Sequence, residues 1–478
     1  MSSPVLGGRI KRVAAASAVA QVLGESVSLV QTVVIARLLG PAEVGLFAAG
    51  PVLTASLAEF QEGGLRSALV NRQTDVEAAA ATVFWATLLN GVIMSIGALL
   101  AAPLIGLVFH DSTAAVIAAA SAGGLVLYSL ANVPEAFLQR EFSVKRRLIV
   151  GPATAIAFAS VTITLAALGF GVWSLVVGTY ASYLALVVTV WLLHPWRPGT
   201  ARASYQLWRE MARYGLPLIV GSFTAKVRQL VEAVIVGRLL TTTALGFYRY
   251  GLRIARVPVN AMIEIVAYAL FPAFSRMADD PQRMRGAYLR ALGGVTFCAA
   301  PITGLLLSIG EPTAVVVLGE PWRGAGIAVV AMAGLGLGKA FASVSEEAIK
   351  GTGRTSLINR FTATELVLGL GLLVLVIPWG LVGVGVAISL TALVVGVQCV
   401  VTASRVIGVA PRDVLRATVV PTVAAGVAAA GSAAVEMFVF HSDTRMGVLG
   451  VVLLLVDGLV FLVAYLAVLA VLAPQTVR

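Results

Sequence analysis

The polar segments of this chain are too short to fold on their own. The two longest, around residues 194–213 and 275–288, hold about twenty residues at most. Between such segments run apolar stretches, each near the roughly 20 residues an α-helix needs to cross about 30 Å of hydrocarbon. In lipid the backbone must satisfy its own hydrogen bonds, so these stretches are expected to be helices. Breaks at charged or Gly/Pro clusters divide the 478 residues into fourteen of them, the first over 13–36 and the last over 448–472. Only 12% of the residues are charged and 59% are hydrophobic, whereas soluble domains carry roughly 25% charged residues. An ordinary soluble enzyme, a disordered chain and a fibre are all excluded. The expected fold is all-α, a polytopic membrane protein of about fourteen transmembrane helices.

Arg9, Lys11 and Arg12 ahead of an Ala-rich run imitate the start of a signal peptide. The apolar run continues through Val33, Val34 and Ile35 and carries Gln21, Glu25 and Gln31, so it reads as a retained first helix. With that N-terminus placed in the cytoplasm, twenty-four Lys and Arg fall in inside segments and four (Arg37, Arg238, Arg323, Arg445) in outside loops. This is the asymmetry of an inner-membrane protein with both termini cytoplasmic. The net charge of +11 is therefore loop charge facing anionic lipid, not a nucleic-acid footprint. Cys298 and Cys399 form no metal pattern and no disulfide is expected. His110, His194 and His441 fall at the ends of apolar runs and read as interfacial, as do Trp173, Trp191, Trp196, Trp322 and Trp379.

The sequence repeats. Val34-Ile35-Ala36-Arg37-Leu38-Leu39 followed by Gly45-Leu46-Phe47 recurs as Ile235-Val236-Gly237-Arg238-Leu239-Leu240 followed by Gly246-Phe247-Tyr248, an offset of 201. A second echo pairs Gly169-Phe170-Gly171-Val172 with Gly383-Val384-Gly385-Val386. Six helices per unit is an even number, so the two units insert in parallel, with substrate expected between them. The expected division is an N-terminal lobe over 1–200 (helices 1–6), a C-terminal lobe over 201–410 (helices 7–12) and two additional helices over 411–478.

Charges at bilayer depth are costly and face a cavity or a partner. Arg249, Arg253, Arg256, Asn260 and Glu264 follow spacings of 4, 3, 4 and 4, so they share one helical face. The stripe is about 22 Å long, most of the hydrocarbon thickness. A lipid-facing helix cannot carry it. The preceding helix adds Lys226, Arg228 and Glu232; the first carries Gln21, Glu25, Ser28 and Thr32; the second ends with Glu59 and Glu62. At the repeat offset Glu25 corresponds to Lys226, and Glu59 to Asn260. The first half thus presents acids and the second half bases. They form either salt bridges holding the halves together or a hydrophilic cavity with a cationic wall for an anionic substrate. Five cations against two acids on the second half favour the cavity. Candidate substrate-binding residues are Lys226, Arg228, Arg249, Arg253, Arg256 and Asn260. Candidate gating or ion-coupling acids are Glu25, Glu59, Glu232 and Glu264.

Other embedded charges are weaker signals. Glu365, Glu436 and Asp457 read as interfacial or paired, and Glu346 and Glu347 as solvated or snorkelling. Gly334-Leu335-Gly336-Leu337-Gly338-Lys339 imitates a phosphate-binding loop, but positions 333 and 340 are Ala and the context is a membrane helix rather than a strand.

Several runs carry a family resemblance: Ala36-Arg37-Leu38-Leu39-Gly40-Pro41-Ala42-Glu43-Val44-Gly45-Leu46-Phe47, Gly63-Gly64-Leu65-Arg66-Ser67-Ala68-Leu69-Val70, Leu138-Gln139-Arg140-Glu141-Phe142, Gly169-Phe170-Gly171-Val172-Trp173-Ser174-Leu175 and Pro195-Trp196-Arg197-Pro198. Together they resemble polysaccharide flippases of the multidrug/oligosaccharidyl-lipid/polysaccharide exporter superfamily, lipopolysaccharide and exopolysaccharide branch. The resemblance implies alternating access by two six-helix lobes and a prenyl-pyrophosphate-linked oligosaccharide moved from the inner to the outer leaflet. Family members often carry a short polar stretch where this chain has Thr241-Thr242-Thr243, and no function is carried onto it. Besides substrate and membrane lipids, a coupling ion, proton or sodium, is expected, and no cofactor, metal or nucleic acid. The chain is expected to act as a monomer and not as an enzyme. An ion-coupled multidrug exporter of the same fold is the alternative; organic cations would favour an acidic cavity, which the second half does not offer. A membrane polymerase or glycosyltransferase would need acids on a sizeable external loop, and the outside loops are short.

Overall fold

The computed structural model describes residues 27–62, 64–141, 146–199, 201–277, 279–445 and 447–472, with the backbone alone at 59, 146–147, 216–225, 260–269 and 271–272. Among the described residues there is no strand. The helices are α1 (Val27–Leu38), α2 (Pro41–Ala49), α3 (Val52–Glu62), α4 (Leu65–Asn71), α5 (Val76–Phe109), α6 (Ser112–Ser121), α7 (Gly124–Arg140), α8 (Gly151–Ala167) and α9 (Val172–Leu193). There follow α10 (Tyr205–Leu239), α11 (Thr242–Arg276), α12 (Pro281–Leu318), α13 (Arg323–Ala331), α14 (Gly334–Gly351), α15 (Ile358–Val376), α16 (Gly380–Ile407), α17 (Pro411–Val435) and α18 (Val448–Leu472). Among the described residues eight helices are long and apolar enough to cross a membrane, or up to ten if each of two bent pairs is one span. The eight include Thr355–Ile407 as a single stretch, although the 3₁₀ turn Ile377–Trp379 breaks it into α15 and α16. Large apolar side chains stay bare along the outer faces, Leu100 at 75% and Leu192 at 79% exposure among them, as lipid contact requires.

The chain divides into two compact units, one running to Leu245 and the other from Gly246. This packing boundary lies one helix beyond the repeat boundary at 200/201, because α10 packs on the first unit. Its start is held there by a hydrogen bond from Ser204 N to Thr82 Oγ1 (3.0 Å), by Arg72–Glu210 (3.1 Å) and by Asn71 Nδ2 to Tyr214 Oη (3.0 Å). A Cβ on Gly64, already in the left-handed region at φ +67°, would lie 2.5 Å from Gly215. Leu65, Leu69, Val83, Phe84, Val133, Trp196 and Met211 form the core beneath.

The repeat at offset 201 survives in the backbone. α1 ends at Leu38 and α10 at Leu239; α2 begins at Pro41 and α11 at Thr242. The two turns are capped differently. Glu43 Oε2 accepts from Gly40 N (2.7 Å), with Pro41 in the first turn, where its missing N–H costs nothing. In the second half Thr241 Oγ1 accepts from Ala244 N (3.0 Å), so the Thr241-Thr242-Thr243 run starts with a helix cap. The second echo does not hold structurally. Gly171 sits in a turn at φ +53°, whereas Gly383 and Gly385 lie inside α16. The conformational counterpart of Gly171 (ψ −134°) is Gly380, at φ +67° and ψ −144°.

In the second unit α12, α14 and α16 enclose Phe274, Tyr288, Leu292, Phe341, Val344 and Cys399. α17 and α18 pack on α12 through Ala424, Ala425, Ala428, Phe461 and Tyr465, and Tyr465 Oη donates to Phe297 O (2.9 Å). Their connecting loop is pinned by Arg323, which donates to Glu311 (2.8 Å), Glu320 (2.8 Å) and Asp443 (3.0 Å). Two of the five tryptophans expected at the lipid interface are instead buried in protein: Trp322 is stacked on Tyr250 at 4.2 Å, and Trp196 is packed on Phe84. Trp173 and Trp379 are exposed. Both cysteines are free thiols.

Candidate functional site

α11 has two unlike faces. Leu245, Tyr248, Gly251, Ala255 and Val259 are buried, and a Cβ on Gly251 would lie 2.8 Å from Ala328. Opposite them Arg249 and Arg253 are exposed and Arg256 is half-buried. The helix is anchored by its apolar face and turns three guanidinium groups away from its own unit's core. Asn260 and Glu264 continue the same face by register; their side chains fall outside the described residues.

On α10, Arg228 Nη1 donates to Glu232 Oε1 one turn away, and Glu232 is buried. Lys226 is half-buried. Of the remaining candidates, Glu25 lies outside the described residues and Glu59 is described by backbone alone. So the structure pairs Arg228 with Glu232, and sets Arg249, Arg253 and Arg256 side by side on the other unit. Arg238, the repeat partner of Arg37, plays a structural part, since its Nη1 caps α5 by donating to Val108 O (3.1 Å).

The structure assembles two polar clusters from residues that the sequence reading named without joining, apart from Tyr128, Glu135 and Asn132, which it did not name. In the first unit Arg66 Nη1 bridges Glu62 Oε1 (3.2 Å) and Glu135 Oε2 (3.0 Å), and Tyr128 Oη donates to Glu62 Oε1 (2.8 Å). The cluster sits where Gly64 breaks the helix, and Asn132, on the α7 face of Tyr128 and Glu135, is buried with both amide atoms unpartnered. Glu62 and Arg66, four residues apart, were a legible pair; Glu135, sixty-nine residues on, was not. In the second unit Lys339 Nζ meets Glu365 Oε1 at 2.8 Å, and Lys350 Nζ meets Glu347 Oε1 at 2.7 Å. The glycines ahead of Lys339 are a packing surface: Cβ atoms on Gly338 and Gly396 would lie 2.3 and 2.4 Å from the facing helix backbone. Glu436 and Asp457 are buried, accepting from Ser442 and Ser432 respectively.

Residues 34–326 match the family described as polysaccharide biosynthesis protein. The chain is 27% identical over 298 residues to the succinoglycan biosynthesis transport protein ExoT of Rhizobium meliloti (strain 1021), a match covering 60% of this chain and 58% of that protein. It is 23% identical over 313 residues to the lipopolysaccharide biosynthesis protein WzxC of Escherichia coli (strain K12), covering 64% and 63%. The matched stretch thus spans less than two thirds of either relative. Among solved structures, the lipid II flippase MurJ in an inward closed conformation superposes with a TM-score of 0.74 at 13% identity, over 97% of this chain and 99% of that one. An inward-facing multidrug resistance MATE transporter of the MOP superfamily gives 0.64 at 17% identity, over 80% and 94%. With residues 34–326, more than half of the chain, matched to the family and the fold shared with MurJ over 97% of the chain, the chain belongs to the polysaccharide biosynthesis protein family and is an integral membrane protein with the fold of MOP-superfamily transporters.

Proposed function

We propose that this protein is a transporter, not an enzyme, that moves a prenyl-pyrophosphate-linked oligosaccharide across the cytoplasmic membrane by alternating access. The observation that carries the reading is the α11 face. Three arginines stand on the accessible side of a helix that the chain must bury in a membrane. A guanidinium there must be hydrated, paired, or neutralised by ligand. A pyrophosphate offers several anionic oxygens, and the planar fork of Arg binds such groups bidentately. The sugar head is too polar to cross hydrocarbon, while the prenyl tail can remain in lipid. Relatives named for succinoglycan transport and lipopolysaccharide biosynthesis support a lipid-linked glycan as cargo.

In this reading Lys226, Arg228, Arg249, Arg253, Arg256 and Asn260 contact the anionic head group. Glu25, Glu59, Glu232 and Glu264 replace ligand charge when the site is empty. That exchange gives the substrate unequal affinity for the two states, which is what lets binding drive a transition. The protein acts as a monomer with both termini cytoplasmic and a coupling ion. The test is transport in proteoliposomes of a fluorescent prenyl-pyrophosphate oligosaccharide beside a cationic dye. Flipping of the glycan lipid and exclusion of the dye is expected. Dye export without glycan flipping overturns the reading in favour of a multidrug exporter.

A further inference from the structure

Helix α14 is buried nearly all round. From Leu335 to Ile349 only Lys339, Ser343 and Glu346 escape burial, and Lys350 follows one turn on. The spacings of 4, 3 and 4 put these four residues on one line of the helix. A membrane helix facing lipid shows apolar side chains on its open side. The only open side of α14, among the described residues, carries an ammonium, a hydroxyl, a carboxylate and a second ammonium. Such a line faces water or a polar partner. Lys339 lies about 18 Å from the Gly351 end at 1.5 Å per residue, well inside the bent candidate span that runs from Glu320 to Gly351.

Glu365 of α15 reaches this line. Its Oε1 is 2.8 Å from Lys339 Nζ, with the two side chains 25% and 37% exposed. Glu346 lies in the field of Lys350, Lys339, Glu365 and Glu347. Among the described residues the titratable groups around the line include the Cys399 thiol of α16, which senses Glu346, Lys339 and Glu365, and Tyr288 of α12, bonded to Ser345 on the buried side. Arg354 and Arg360 are exposed at the Lys350 end. Lys339, Lys350, Glu346, Glu347 and Glu365 together hold two cations and three carboxylates. A single proton brings the group to neutrality. A proton delivers that charge as one covalent O–H, whereas a metal cation needs several oxygen ligands, and among the described residues no three acidic, histidine or cysteine side chains converge to supply them.

We propose that Glu365, with Lys339 and Glu346, forms a proton-exchange site on the open face of α14, and that the coupling ion of transport is a proton. The proposal rests on the transporter reading above. A proton arriving through water bonds to Oε1 of Glu365 and gives a neutral carboxylic acid. The ion pair to Lys339 is lost, the ammonium keeps its own protons, and Glu346 on the same line is the carboxylate left to face it. Release of the proton restores the pair. The bend of 43° between the α13 and α14 segments lies within two turns of Lys339, where a change of partner at Lys339 can act on the break.

Two measurements test this, the first without substrate. Infrared pH titration of the purified full chain in lipid should show a carboxylic-acid band growing as pH falls, with one component missing in Glu365→Gln and kept, shifted, in Glu365→Asp. A single cysteine introduced as Ser343→Cys, with Cys298 and Cys399 replaced by Ala, should react with a charged, membrane-impermeant thiol reagent. An infrared band untouched in Glu365→Gln, or an unreactive Cys at 343, overturns the site and leaves a static ion pair. In the second measurement, proteoliposomes carrying the fluorescent glycan lipid should respond to a pH gradient by about tenfold per unit for each proton coupled. That response should vanish in Glu365→Gln. A response to a sodium gradient at uniform pH overturns the proton assignment. A normal infrared titration in a protein that flips no glycan lipid supports the site and overturns only the cargo.

Discussion

Arg253 sits one turn from Arg249 and just under one turn from Arg256, exposed, on a helix whose opposite face is packed. Its guanidinium can grip two oxygens at once; a lysine in its place supplies the charge without the fork. Arg253→Lys should therefore slow glycan-lipid flipping about tenfold, the worth of one charge-assisted hydrogen bond, with normal membrane insertion. Initial rates in proteoliposomes check this. Arg66 makes a different prediction, because it holds two carboxylates of its own unit. Arg66→Ala leaves Glu62 and Glu135 facing each other with little solvent, and should cost about 3 kcal/mol in unfolding free energy. Arg66→Lys should recover part of the loss. Thermal unfolding in detergent distinguishes the two. Residues of these two kinds were not equally legible. The α11 line was readable because three charges recur at helical spacing in one segment. Lys339, Ser343, Glu346 and Lys350 recur at the same spacing but lie behind a glycine run that imitates a phosphate loop; the same periodicity test applied to 339–350 finds them.

The elements are fixed by close backbone approach as much as by apolar area. Gly338 of α14 and Gly396 of α16 let two helices touch where a Cβ would overlap backbone. Gly338→Val should destabilise by about 2–3 kcal/mol, since backbone rather than a flexible side chain must give way, and a lowered unfolding temperature with retained helical content checks it. The α17–α18 pair hangs on α12 and on the Arg323 cluster. Hydrogen bonding from Arg323 holds the Glu320 carboxyl below its usual range. This contribution is complete above the ordinary Glu pKa of about 4.3 and is lost as pH falls through the lower folded value. Backbone hydrogen exchange over 319–323, the turn that the Arg323–Glu320 pair closes, should rise on acidification through that range in the wild type. It should be high at every pH in Arg323→Ala; equal protection in both proteins contradicts the tie. Helix existence was legible from apolar length, and the turn at offset 201 from the repeat. Burial of Trp196 and Trp322 was not, because position at the end of a span says nothing about which neighbour lies beside it.

At the scale of the whole molecule, the sequence carries two signals that packing alone does not. One is the distribution of Lys and Arg between alternate loops, from which an orientation with both termini cytoplasmic is expected. Reporter fusions after Arg147 and Trp196 should be cytoplasmic and one after His110 external; the reverse at any site contradicts the helix count before it. The other is the repeat, from which a division at 200/201 is expected, while packing divides the chain at 245/246. The difference is α10, matched in sequence to α1 of the other repeat but packed with the first unit. The repeat at offset 201 is legible in sequence, whereas the partner of a helix depends on contacts such as Gly64–Gly215 that no local pattern announces.

In the proposed function the arginine face of α11 recognises the anionic linkage of a lipid-borne glycan, and this recognition can be measured. It is tested most directly by initial flipping rates for one fluorescent oligosaccharide attached to prenyl-pyrophosphate or to prenyl-monophosphate, in the wild type and in Arg253→Gln. The wild type should prefer the pyrophosphate carrier, and the variant should lose most of that preference while remaining folded in the membrane. Equal rates on both carriers in the wild type, or an Arg253→Gln protein with full rate and unchanged preference, would contradict the claim.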